Sequence, residues 1–417
     1  MAEPRVLVIS NTAIKRSNSN GLCLLNVLSS IPVSNLASFY IQNTYPDKGV
    51  VSSSFRLTDS EKLHSYFKAK ADGTIIDDSS IADSKDQDVQ QGSGKESFFR
   101  HLVRENVWQH GKWNRKKFYD WVATLKPTVI LFMNGRSPFM FDITREVSEK
   151  FHIPVVIFSS EDEYWHKPKA GNLWDLVLRK KLKKATLRLN KRVAHVITFN
   201  DKLKGLYETE FHLPVTTVMP SSDEMPVKAI NSNGNLFYGG NLKPYRFEAL
   251  AEISQALLTV QSPRKIEVYS NDIDANIRSR IASLPNVVLH EAVTRKALEP
   301  LRKEAYLLIH FESSSKKARP LIQNAFSSKI ADCLSSGIPF FVYAPNYCGF
   351  SAYFDANPNA VCYVKEKQEL TPALSKVLND EAYRNELVKN ALLLAQKNHS
   401  IEKNSALTKT ILLEAHL

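Results

Sequence analysis

Short, uninterrupted apolar runs alternate along this chain with longer amphipathic stretches. Residues 5–11 read as a buried strand, followed by a polar loop, 11–20, and a helix from Gly21. Residues 36–42 predict a second strand, and a helical stretch rich in aromatics covers about 97–125. Strands are expected at 128–133 and 154–159, flanking a helix over 137–151, and again at 194–199. Near 220–233 the composition turns loop-like, with Met-Pro-Ser-Ser-Asp and Asn-Ser-Asn-Gly. The alternation then restarts, with strands at 235–238, 265–270, 286–290, 305–311, 340–343 and near 360–364. Helices at about 380–398 and 401–415 close the chain.

Strands alternating with helices in both halves predict α/β architecture, with two Rossmann-like, doubly wound domains. The expected boundaries are 1–222 and 223–398, with 399–417 as a terminal helix packing back on the first domain. Residues 77–96 are rich in Asp, Ser, Gln and Gly without periodicity, which predicts a flexible insertion. Open α/β sheets take ligands at the carboxyl ends of their strands, so two facing sheets are expected to enclose a cleft.

Composition narrows the class. At 417 residues the chain exceeds one ordinary core. No apolar run reaches the roughly 18 residues of a membrane span, and the start lacks the basic and apolar regions of a signal peptide. The cysteines Cys23, Cys333, Cys348 and Cys362 have neither disulfide-framework nor metal spacing, which points to a reducing, cytoplasmic setting. The formal net charge of +12 attracts nucleic acid, anionic lipid or phosphorylated substrates. Much of it lies between Arg179 and Arg192, where Leu178, Leu182, Ala185 and Leu189 mark a helical apolar stripe. With Leu173, Trp174, Leu176 and Val177 before it, 173–192 reads either as a surface for an anionic inner leaflet or as a core-packed helix with a solvated face. No aromatic-interleaved basic motif supports nucleic-acid binding.

Two turns in the second half suit an anion. One is Gly239-Gly240-Asn241-Leu242-Lys243-Pro244-Tyr245-Arg246 on a strand-to-helix turn. There, paired glycines admit a close phosphate and Arg246 supplies a forked donor. The other is Ser328-Lys329 at a helix start, with Asp332 one turn on; the plainer reading is an N-cap, a solvated lysine and a solvent-facing carboxylate. Glu312 ends the preceding strand, placed to bond a sugar's hydroxyls or to pair with Lys316 or Lys317. In the first half, Ser17-Asn18-Ser19-Asn20-Gly21 reads as a small polar loop before a helix, with Asn20 and Gly21 nearest the expected ligand, or as a generic capped turn. Glu161 and Asp162 are candidates for a general base or for orienting an acceptor hydroxyl, or form an acidic loop balancing the basic helix. Asp272 and Asp274 offer a superficial Asp-x-Asp without further ligands.

Several of these segments together resemble the GT-B glycosyltransferases, in particular a bacterial branch related to glycosyltransferase family 4. They are 11–21, 35–40, 137–142, 160–162, the Tyr-x-Gly-Asn-Leu-x-x-x-Arg pattern of 238–246, 308–313 and 326–339. The resemblance implies that Arg246, Ser328 and Lys329 hold a donor diphosphate. It places Asp332 at the ribose, as the second acid of a Glu-x7-Glu signature; Asn324 stands at the first. It implies no cofactor and no metal, the donor being a UDP- or GDP-linked sugar. The expected activity is transfer of that sugar to a saccharide or lipid-linked acceptor in bacterial surface polysaccharide synthesis, by a cytoplasmic enzyme peripheral on the inner membrane face. A catalytically silent GT-B partner subunit and a nucleotide-sugar epimerase stand as alternatives.

Overall fold

The computed structural model describes residues 3–67, 70–81, 98–165, 173–243, 245–270 and 275–416. Pro244, Asp272, Asp274 and residues 82–96 of the expected insertion lie outside them, as do the side chains of Leu173 and Trp174. The chain divides into two compact units, Met1–Met219 with Ile401–Leu417, and Pro220–Ser400.

The first unit is built on an eight-stranded sheet. Its strands are β1 Val6–Ile9, β2 Leu36–Tyr40, β3 Ser53–Arg56, β4 Thr74–Ile76, β5 Val129–Met133, β6 Val155–Ser159, β7 Val193–Thr198 and β8 Val215–Thr217. They run in the order β4-β3-β2-β1-β5-β6-β7-β8, all parallel except the antiparallel edge pair β3–β4. β1, β5 and β6 are buried along their whole length, the signature of parallel strands covered on both faces. β3, β4 and β8 are short and polar enough that no apolar run announces them. The expected helix over 97–125 is two, Phe98–His110 and Arg115–Leu125. Trp113 forms a β-bridge with Ala71 between them. The last helix, Ile401–Glu414, packs on helix Ser19–Leu28, with Ser405 Oγ 2.5 Å from Ser30 Oγ.

The second unit has six parallel strands, β9 Leu236–Gly239, β10 Ile266–Ser270, β11 Val287–Glu291, β12 Leu307–Phe311, β13 Phe340–Tyr343 and β14 Cys362–Val364. Their order is β11-β10-β9-β12-β13-β14. Leu307, Ile309 and Phe311 of β12 join the core with Leu236, Tyr238, Leu250 and Ile266. The alternate positions, Leu308 and His310, face the other layer, as the two-residue period of a strand requires.

Candidate functional site

The sheet of the second unit reverses its winding between β9 and β12: the chain moves from β9 out to β10 and β11, then returns to the opposite side of β9 as β12. In open α/β sheets the crevice outside the carboxyl ends at such a point receives ligands. The segments leaving these two ends carry Gly240–Arg246 and Glu312.

Helix Arg246–Thr259 begins directly after Tyr245, whose φ is 65°. A left-handed non-glycine residue costs roughly 1–2 kcal/mol. It turns the loop back so that Arg246 Nη1 donates to the carbonyls of Asn241, at 3.1 Å, and Lys243, at 2.7 Å. The rest of the guanidinium grips Glu312, Nε to Oε2 at 2.8 Å and Nη2 to Oε1 at 2.6 Å. The Glu312 side chain is 5% exposed. An ion pair survives such burial only with this forked geometry. Burial opposes the Arg246 charge, but Glu312 and Tyr238 outweigh it and raise the guanidinium pKa.

Two further side chains face the pair. His310 Nε2 lies 3.6 Å from Glu312 Oε1, beyond hydrogen bonding, and it has no hydrogen-bond partner among the described residues. Burial, then Arg246 and Lys329, push its pKa well below the ordinary imidazole value. Lys329 stands directly over Gly240, where a Cβ would lie 2.8 Å from its Nζ. Glycine is needed there for this close approach. Lys329 is exposed, yet surrounding protein, then Arg246, lower its pKa against the opposing pull of Glu312. Among the described residues its ammonium has no hydrogen bond or ion pair. Lys329 is thus an accessible cation walled by protein, beside an Arg246 already paired with Glu312.

The sequence-predicted residues are not all gathered there. Gly240, Arg246, Glu312 and Lys329 come together; Asn241 contributes its carbonyl, and its side chain caps the turn by accepting from Lys243 N at 2.8 Å. Arg246, expected at a phosphate, is spent on Glu312 and two carbonyls. Glu312 pairs with Arg246 rather than with Lys316 or Lys317. The Ser328 hydroxyl makes no capping bond. The N–H groups of Ile330 and Ala331 go to the carbonyls of Ser327 and Ser328 at 3.1 and 3.2 Å, so this helix start does not present the free donors expected of it.

Asp332 differs most from expectation. It is 2% exposed, not solvent-facing. Both oxygens are taken by Arg295, Nη1 to Oδ2 and Nη2 to Oδ1 at 2.9 Å each, with Ser222 Oγ at 2.7 Å. Arg302, 4.0 Å from Asp332, is paired in turn with the buried Glu224. Sequence reasoning missed Arg295, Arg302 and Glu224, whose partners lie far off in the chain, and His310, which only its burial beside Glu312 brings into the site.

In the first unit, Ser19, Asn20 and Gly21 form the opening turn of helix Ser19–Leu28 rather than a loop. Asn18 caps it by accepting from Gly21 N at 2.6 Å. A Cβ at Gly21 would sit 2.4 Å from both the N and O of Lys15, so the glycine permits a close chain crossing; Asn20 is exposed. Asp162 accepts from the N–H of Tyr164 and Trp165 at 3.0 and 2.6 Å, which makes it a turn former. Glu161 is exposed. The perturbed acid is their neighbour Glu163, pushed up to about 8 by burial and then by Glu161. Beside it lies a buried network in which Asn134 Nδ2 donates to the hydroxyls of Tyr164 and Tyr207, and Tyr207 to Ser159.

The basic helix is Leu173–Leu189. Leu178, Leu182, Ala185 and Leu189 are buried as the periodicity predicts. Lys183 pairs with Glu210 at 2.6 Å and Arg188 with Asp142 at 2.8 Å. Lys180, Lys184 and Lys191 remain exposed, in one stripe with Leu176, Val177 and Leu187. No helix among the described residues is long and apolar enough to cross a membrane, and no described cluster of His, Cys, Asp and Glu could hold a metal ion.

No protein-family model matches the sequence, and no curated protein matches it. Solved structures do resemble it. HepE from Anabaena, in complex with UDP-glucose, is 12% identical with a TM-score of 0.60, covering 98% of this chain and 99% of that one. Sucrose-phosphate synthase from Thermosynechococcus elongatus is 11% identical, TM-score 0.62, covering 98% of each. WaaG, a glycosyltransferase involved in lipopolysaccharide biosynthesis, is 13% identical, TM-score 0.60, covering 97% of this chain and 99% of that one. Likeness at such identity is one of fold, and the fold is GT-B, two Rossmann-like α/β units.

Proposed function

We propose that this protein is a glycosyltransferase whose second unit binds a nucleotide-diphosphate sugar at the carboxyl ends of β9 and β12. The observation that carries this reading is the Lys329 ammonium, held over Gly240 without an anionic partner of its own among the described residues. The GT-B fold supports it. In the reaction the bond from the sugar's anomeric carbon to the diphosphate oxygen breaks, and an acceptor hydroxyl oxygen bonds that carbon and loses its proton. Lys329, joined by Arg246, would counter the charge that grows on the departing diphosphate. A saccharide or lipid-linked acceptor in surface polysaccharide synthesis fits the reading.

The test is a thermal-shift and calorimetric screen of the full chain against UDP-, GDP-, dTDP- and CMP-sugars. One diphosphate-linked donor should stabilise the protein, and Lys329→Ala should lose most of that effect. Absence of binding by every nucleotide would overturn the proposal. The saturated pairs of Arg246 and Asp332 favour a second reading, a catalytically silent partner subunit. Binding without nucleotide release in the presence of saccharide or lipid-linked acceptors would support it.

The exposed Lys180–Lys184–Lys191 stripe, interleaved with Leu176 and Leu187, supports peripheral attachment to an anionic membrane surface. Wild-type protein should sediment with phosphatidylglycerol vesicles, and a Lys180, Lys184, Lys191 triple alanine variant should not. Equal sedimentation would remove this helix from the membrane reading.

A further inference from the structure

His310 has no use in the pairing just described. It is 5% exposed, sits edge-on to Phe350, and is flanked on β13 by Val342. An apolar side chain would fill that space without leaving a buried nitrogen unbonded, an arrangement proteins usually avoid. Yet Nε2 stops 3.6 Å from Glu312 Oε1, less than 1 Å beyond a normal hydrogen bond. The charged groups around it are Glu312 just past the end of its own strand, Arg246 from the helix after β9 and Lys329 from the helix before β13. In this structure Arg246 occupies Glu312, and the imidazole stands off.

The donor site proposed above places a diphosphate beside Lys329, within the neighbourhood of Arg246. A doubly charged diphosphate is a stronger partner for the fork than one carboxylate. If Arg246 turned to it, Glu312 would be left buried and unpaired, a strongly unfavourable state. We propose that His310 is a positioning residue that takes over Glu312 when Arg246 turns to the donor's diphosphate. Nε2–H closes the 3.6 Å gap, and Glu312 stays paired throughout. This inference rests on the donor-site reading; it adds an exchange of partners that makes Arg246 available.

The test separates the two. In full-length protein with 15N-labelled histidine, the Nε2 proton of His310, assigned with His310→Gln, should move downfield on titration with UDP or GDP, whichever binds. It should also do so without nucleotide in Arg246→Met, where Glu312 has lost its fork. Failure of that nucleotide-free shift sinks the exchange while leaving donor binding intact. Failure of all nucleotide binding in wild type sinks the donor reading and the exchange with it. His310→Phe should weaken nucleotide binding about tenfold, with the Tm of the unliganded protein shifted by no more than about 2 °C. His310→Gln, which keeps an N–H donor, should recover binding to within about threefold. Wild-type affinity in His310→Phe would overturn the proposal. So would equal losses of binding and unliganded stability in both variants, which would mark a packing role only.

Discussion

Arg246 and Glu312, 66 positions apart in the chain, meet through two nearly parallel hydrogen bonds of 2.8 and 2.6 Å. The pair ties the start of the helix after β9 to the end of β12, across the line where the sheet reverses its winding. Its geometry makes each partner depend on the other, because neither charge has enough water around it to stand alone.

Glu312→Gln should therefore destabilise the second unit by about 3 kcal/mol, since a guanidinium only 19% exposed loses its countercharge. Chemical denaturation of the full chain, followed by fluorescence, measures this. A loss below about 1 kcal/mol, the range of an exposed pair, would contradict the buried pairing.

Two glycines should respond differently to alanine. At Gly21 the new Cβ would meet backbone atoms of Lys15 at 2.4 Å, which cannot yield cheaply, and a loss of roughly 2 kcal/mol or more is expected. At Gly240 the nearest atom is the flexible end of Lys329, at 2.8 Å. The buried Tyr238 ring follows at 3.0 and 3.1 Å, so Gly240→Ala should cost less stability than Gly21→Ala and weaken nucleotide binding about tenfold. Calorimetry with both variants checks the contrast.

Glu163 carries a pH dependence. Its pKa rises from an unfolded value near 4.5 to about 8 through burial and the charge of Glu161. The folded state thus holds the proton more tightly than the unfolded state. Its stabilising contribution is complete below about 4.5 and drains away as pH rises toward 8. Glu163→Gln should raise Tm at pH 8 and leave it near wild type at pH 4. An equal Tm difference at both pH values would refute the assignment.

Arg295→Met should leave Asp332 with Ser222 and the more distant Arg302. A loss of about 2–3 kcal/mol is expected for a buried carboxylate stripped of its fork. Should Asp332 turn out to hold a donor ribose, the same variant would instead tighten nucleotide binding by freeing the carboxylate. Denaturation and calorimetry on one preparation distinguish the outcomes.

Much of the fold was legible in the chain. The apolar runs of β1, β5, β6 and β13 carry their own signal, because a strand buried on both faces must be apolar throughout. β3 and β4 were invisible for the converse reason: Ser53, Ser54, Arg56 and Thr74 give no such run, and pairing with neighbours alone makes them strands. The apolar stripe of Leu178, Leu182, Ala185 and Leu189 was readable, since helical period and burial coincide. The strand-to-helix turn at Gly240 was also readable, whereas the closeness of Lys329 to it was not.

By itself, then, the sequence determined two α/β units, with Gly240 and Glu312 just past strand ends and Arg246 and Lys329 at helix starts, because periodicity and turn chemistry are local. Only the tertiary structure decided who pairs with whom. Arg246 took Glu312, Asp332 took Arg295, and His310 stopped short of any partner. Ion pairing depends on distance and burial in space, which no local pattern encodes.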